Sequence, residues 1–230
     1  MLFNNQLPTA DFRLQTIHYL IAIIAALFFS SCSKKHLDTS PSVPSDFISK
    51  LETHRAEVDS VMHFAPDSPF NRDTTVAYHG LNYFPPNAEL RFGCVLHRYP
   101  IPTPTAVVGT KGEIRSEMKY GYFAFTYREK NYRLTVYKMS DQELRKHGSG
   151  LEDYLMVWFT DSTTGRETYP VGRYVDVERE SPDPNFLYTL DFNYAYNPYC
   201  AYSANYSCAV PTKENALPFP VYAGEKKYHN

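Results

Sequence analysis

The chain has 230 residues, with 23 Lys and Arg against 25 Asp and Glu and a formal charge of -2. That balance carries no basic excess to attract nucleic acid, so no nucleic-acid partner is expected. Tyrosine (20), proline (17) and an aromatic share of 16% argue for strands and aromatic-lined surfaces rather than a helix bundle.

Residues 1–18 are mixed and weakly basic, with Arg13 and His18. Residues 19–29 (YLIAIIAALFF) are uncharged. They are too short to cross a bilayer core of about 30 Å comfortably as a helix, and they fit the apolar region of a signal peptide. Ser30-Ser31-Cys32 follows directly and resembles the lipobox of bacterial lipoproteins, with Phe29 where Leu is more usual. The resemblance implies a signal peptide over residues 1–31, cleavage before Cys32 and acylation of Cys32. Membrane lipid would then be a partner, anchoring the domain in the cell envelope, at the inner or outer membrane and outside the cytoplasm. An ordinary secretory peptide or an uncleaved helix are the alternatives. Residues 32–45 are polar and rich in Ser and Pro, a flexible tether. Residues 46–230 are ample for one domain with its own core and short for two.

Residues 46–63 read as a helix, with Ile48, Leu51, Arg55, Val58 and Met62 at spacings of three and four. Ser45 is a candidate cap, Pro66 ends the helix, and residues 67–70 (DSPF) open a loop. Strands are expected over residues 89–97, 120–127, 132–139, 154–159, 174–177 and 186–192. Residues 99–104 are extended and broken by proline. The pair 120–127 and 132–139 forms a hairpin around a four-residue loop, 128–131. Residues 154–159 (YLMVWF) are the most apolar run, expected as a central strand. After Phe192 the chain is tyrosine- and proline-rich and irregular, and a tail of that length must be held by packing or by a site. The fold class is mostly β: one barrel-like or sandwich domain with an N-terminal helix and a long irregular C-terminal segment wrapping the sheet. An α+β layout is the alternative.

General catalytic signatures are absent: no nucleophile elbow, zinc-helix motif, P-loop or dinucleotide glycine fingerprint. The eight histidines share no metal-ligand spacing, and no Cys-x-x-Cys occurs. Neither a cofactor nor a metal is expected.

Residues 160–178 (TDSTTGRETYPVGRYVDVE), 190–208 (LDFNYAYNPYCAYSANYSC) and 214–228 (ENALPFPVYAGEKKY) resemble the DUF1684 family of uncharacterised bacterial and archaeal proteins. Residues 67–70, 79–92 and 121–125 match the same pattern. The resemblance implies a single unit, usually found alone and sometimes behind a lipoprotein leader, with no agreed reaction. The chain departs from the family at Ala209, where Pro follows the second cysteine, at Pro211-Thr212-Lys213, where a proline run is usual, and at Tyr194, where Arg is common. If that arginine serves the site, ligand preference or activity is altered here.

Strand alternation puts Tyr174 and Asp176 on one face and Arg173 and Val175 on the other. With Val175 in the core, Arg173 is drawn inward and needs a carboxylate; Glu167, Asp191 and Glu214 are the candidates. The result is either a network tying tail to sheet or a ligand-binding cluster. Asp191, Asn193 and Asn197 offer a carboxylate and two amides, either to their own loops or to a small polar ligand. Arg166, Glu167, Asp176 and Asn215 complete the polar candidates. Tyr194, Tyr196, Tyr199, Tyr202 and Tyr206 suit ordinary packing or stacking on a flat ligand. Cys200 and Cys208 suit a disulfide in an oxidising compartment, with two buried thiols or half a metal site as alternatives; Cys94 is expected as a buried thiol in a strand. Three function classes remain: an envelope module binding a small polar ligand, a hydrolase using Asp191 or Glu214 with Arg173 as an anion clamp, and a structural or protein-binding lipoprotein. The sequence names no protein partner.

Overall fold

The structure, a computed structural model, describes residues 45–73, 75–147 and 150–229. The expected leader, Cys32 and nearly all of the tether lie outside the described residues.

Helix α1 (Ser45–Phe64) has the apolar stripe its spacing predicts. Leu51 and Met62 are buried together with Phe47, and Ile48 and Val58 are half-buried. Asp59 ties the helix to the extended chain that follows: its carbonyl accepts the Tyr78 hydroxyl at 3.0 Å and its Oδ1 accepts the Leu81 N–H at 2.9 Å. Residues 69–72 are not loop but one helical turn, α2 (Pro69–Arg72). Ser68 caps it, accepting from Phe70 N–H, and proline at the first helical position needs no N–H.

Six strands follow: β1 (Arg91–Val108), β2 (Ile114–Tyr127), β3 (Lys130–Met139), β4 (Met156–Phe159), β5 (Arg173–Asp176) and β6 (Leu187–Asp191). They form one curled antiparallel sheet, a half-barrel, in the order β5-β4-β3-β2-β1-β6. The mostly β class therefore stands. A short helix, α3 (Asp141–His147), lies after β3.

Several boundaries differ from the expectations for physical reasons. Strand β1 continues through Pro100 and Pro102 because its pairing with β2 shifts register between Arg98 and Thr103, where the missing prolyl N–H groups are accommodated, and on through Pro104, which pairs with Met118. Opposite that shift sits Gly121, where a Cβ would come within 2.6 Å of the His97 carbonyl oxygen. The hairpin turn has two residues, not four: Arg128 and Glu129 both take positive φ, 48° and 63°, and Tyr127 pairs with Lys130. This is the primed-turn geometry that matches strand twist. Strand β4 is not central. It joins β3 through Tyr137 and Met156 and lies beside the edge strand β5.

Inside the curl the core gathers Leu96, Phe123, Leu134, Val136, Val157, Val175 and Leu190. The tail joins it: Phe192, Ala195, Leu217, Val221 and Ala223 are buried in the same cluster. Asn215 staples the tail to the sheet, accepting Thr135 N–H at 2.7 Å and donating to the carbonyls of Thr135 (3.0 Å) and Trp158 (2.8 Å).

Candidate functional site

A cleft of about 480 Å³ runs between α1 and the first part of the tail. The helix contributes His54, Arg55, Val58 and Met62; the tail contributes Asn193, Tyr194, Tyr196, Asn197, Tyr199 and Tyr202; Tyr83 and Glu225 complete the wall. Gly224, at φ +73°, lets the last segment reach the cleft, since a Cβ there would lie 2.5 Å from the Ala195 carbonyl oxygen.

Arg55 occupies a position in the apolar stripe of α1. Its Nη1 donates to the Phe84 carbonyl at 3.0 Å, and the guanidinium lies 4.6 Å from the centre of the Tyr83 ring. Its Nε and Nη2 are withdrawn from solvent without a hydrogen-bond partner. Burial weakens its hold on the proton, an effect opposed by Tyr83 and Glu52. Asn197 is buried: its N–H donates to Glu225 Oε2 at 2.9 Å and its Nδ2 to the Lys226 carbonyl at 2.7 Å, while its Oδ1 has no partner. Glu225, also buried, accepts the Tyr202 hydroxyl at 2.6 Å. Desolvation pushes its carboxyl up to about 7 despite the hydrogen bonds from Tyr202 and Asn197. Two donors and one acceptor thus stand unmet beside tyrosine rings and a carboxyl poised near neutrality. An unmet buried polar atom costs about 1–3 kcal/mol, so a group that satisfies it is favoured.

The structure divides the sequence candidates. Asn193, Asn197 and Asp176 line this cleft. Asp191 lines an adjoining one, where it faces Arg91 at 3.3 Å and accepts from the backbone and side chain of Asn193 at 2.9 and 2.8 Å. Arg173 is buried as expected, but its carboxylate is Asp161, at 2.9 Å, and not Glu167, Asp191 or Glu214. It also donates to the carbonyls of Val221, Ala223 and Glu225. With Asp161 in turn accepting from Thr163 and Val221, the group is a scaffold behind the cleft. The sequence reading missed Asp161 because it lies in the turn after β4, and a through-space partner there leaves no spacing signal. Glu214 is exposed at the far side, on Lys119. Arg166 and Glu167 are exposed, Arg166 donating to the Ser162 carbonyl. Asn215 is the staple described above. Of the five tail tyrosines, Tyr206 packs on Tyr199 outside the cleft.

The expected disulfide is not formed. Cys94, Cys200 and Cys208 are free thiols, Cys94 buried in β1. Cys200 and Cys208 are instead neighbours joined by hydrogen bonds: Cys200 N–H donates to Cys208 Sγ at 3.3 Å, and the Cys208 thiol and Tyr169 hydroxyl hold the Cys200 thiol below its usual range. Among the described residues, no group of three or more His, Cys, Asp and Glu is placed to hold a metal ion. None of their helices is long and apolar enough to cross a membrane.

Arg55, Tyr83 and Glu225 were not among the sequence candidates. Arg55 had a signal, a charge in an apolar stripe. Glu225 had none, because its burial depends on the path of the tail.

A solution NMR structure of an uncharacterised protein from Haloarcula marismortui is similar to this one. The two share 29% sequence identity, with a TM-score of 0.56, over 79% of this chain and 94% of that one. No curated protein matches the chain. The model of the family described as "protein of unknown function (DUF1684)" matches residues 76–226, more than half of the chain, and the protein belongs to that family.

Proposed function

We propose that the domain binds a small ligand in the cleft between α1 and the tail, and that the ligand joins a flat or apolar body to an anionic group. The observation that carries this reading is Arg55, whose Nε and Nη2 are buried, charged and without a partner in the cleft wall. A carboxylate or phosphate satisfies two guanidinium donors at once. Asn197 Oδ1 would take a hydroxyl or amide donor from the same ligand, and the tyrosines its apolar body. Glu225 supports a second reading. A carboxyl held near neutral pH beside a ligand cleft is what a hydrolase uses as general acid or base, and it replaces Asp191 and Glu214 in that role. The leader supports tethering through acylated Cys32, which intact-mass measurement of membrane-extracted protein would test.

The binding reading is tested by thermal shift, with aromatic carboxylates and phosphate monoesters against their neutral amides and alcohols. The anionic members are expected to raise the melting temperature more than their neutral partners. Arg55→Lys, which keeps the charge and loses the planar fork, is expected to weaken binding at least about tenfold. Equal shifts from charged and neutral members would overturn the reading.

A further inference from the structure

The outward face of the sheet carries a second cleft, of about 390 Å³. Strand register builds it. Glu117 pairs with Met139, Met156 with both Tyr137 and Asp176, and Trp158 with Tyr174. Side chains paired across strands, or two apart along one strand, share a face. These residues therefore stand together, opposite the core-facing Val136, Val157 and Val175.

Glu117 is the anomaly on this face. It is 5% exposed and its Oε2 has no hydrogen-bond partner, although the Ser140 backbone amide supports the carboxyl. The two cations whose charges act on it, Arg115 and Lys146, are paired elsewhere. Arg115 lies 2.9 Å from Glu113 and also donates to the Ser207 carbonyl; Lys146 lies 2.7 Å from Glu143. Burial, and then Glu143, push the Glu117 carboxyl up to about 7. Trp158 and Tyr174 are close by, their ring centres 5.7 Å apart. Glu143 and Asp176 also line the cleft. Arg115 also lines the cleft but is engaged by Glu113 and Ser207, and none of its nitrogens is buried without a partner as two of Arg55's are in the first cleft. The three carboxyl groups and electron-rich aromatic faces then favour a compact cation.

We propose that this cleft binds a small primary ammonium ligand, its charge on Glu117 and its carbon body against Trp158 and Tyr174. The proposal rests on Glu117 and Trp158, neither of which lines the Arg55 cleft, although Asp176 borders both clefts.

Trp158 is the sole tryptophan, so fluorescence excited at the long-wavelength edge reads this cleft above the tyrosines. The probes are benzylamine and its neutral counterpart benzyl alcohol, titrated into the full chain. Benzylamine is expected to change Trp158 emission saturably and to bind at least about tenfold tighter than benzyl alcohol, the scale of one hydrogen-bonded charge. Glu117→Gln, close in shape, is expected to erase that preference while the circular dichroism spectrum stays unchanged. Equal binding of the two probes, no saturable response to benzylamine, or an undiminished preference in folded Glu117→Gln would each overturn the proposal. Should the variant fail to fold, the comparison of the two probes on the unaltered protein still decides it.

Discussion

Arg173 is buried, Arg55 is half-buried with its Nε and Nη2 withdrawn from water, and their surroundings give them opposite roles. Arg173 has a carboxylate and three carbonyls on its two terminal nitrogens, and although its Nε has no partner, it does not line the cleft where a ligand would meet it. Removing it strands Asp161 in the interior, where breaking a buried pair costs about 3–5 kcal/mol. Arg173→Ala is expected to lose about that much in urea unfolding. Arg173→Lys should recover only part of it, because one ammonium cannot reach acceptors spread along residues 221–225. An unfolding midpoint unchanged in Arg173→Lys would contradict the scaffold role. At this scale the sequence was half legible. Alternation around Val175 correctly turned Arg173 inward, but the choice among acids depended on which turn approached it. Arg55 broke the apolar stripe of α1 in plain view, yet its unmet donors follow from where Phe84 and Tyr83 come to rest.

At the scale of elements, the tail is the unusual part, because it has turns and bridges rather than strands and still supplies core side chains and cleft walls. Its hold on the sheet passes through Asn215, whose amide both accepts and donates. Asn215→Asp keeps the acceptor for Thr135 N–H and turns the other oxygen against two carbonyls. Two lost hydrogen bonds, with buried carbonyls left unmet, are expected to cost on the order of 2–4 kcal/mol. Limited proteolysis should then cut the tail after residue 210 while β1, β2 and β3 remain protected. Uniform protection in this variant would show that packing alone holds the tail. Periodic signals located α1 and most of the strands. They failed where pairing geometry decides the outcome: at the two-residue turn 128–129, at the prolines carried within β1, and at β4, whose apolar run owes its burial to covering layers rather than to a central place.

For the whole molecule, the buried carboxyls set the dependence on pH. Glu225 and Glu117 keep their protons in the fold up to about 7, against 4.5 for an unperturbed carboxyl. Between those values the fold binds more protons than the unfolded chain, so stability falls as pH rises from about 4.5 through about 7. Glu113, hydrogen-bonded by Ser207, and Glu180, whose burial is outweighed by Lys138, Tyr120 and Arg98, are held down to about 2. Their contribution is present above about 4.5 and lost as pH falls toward 2. The melting temperature is therefore expected to peak on the acid side of neutrality, and Glu225→Gln should flatten its decline toward neutral pH. A melting temperature that rises steadily from pH 5 to 8 would contradict this assignment. An anion beside Arg55 would bind through the same wall that holds Glu225. Isothermal titration of the full chain and of Arg55→Lys with the aromatic carboxylate giving the largest thermal shift tests the central claim most directly. The account predicts one site per chain, weakened at least about tenfold in the variant; equal affinity in the two proteins would contradict it.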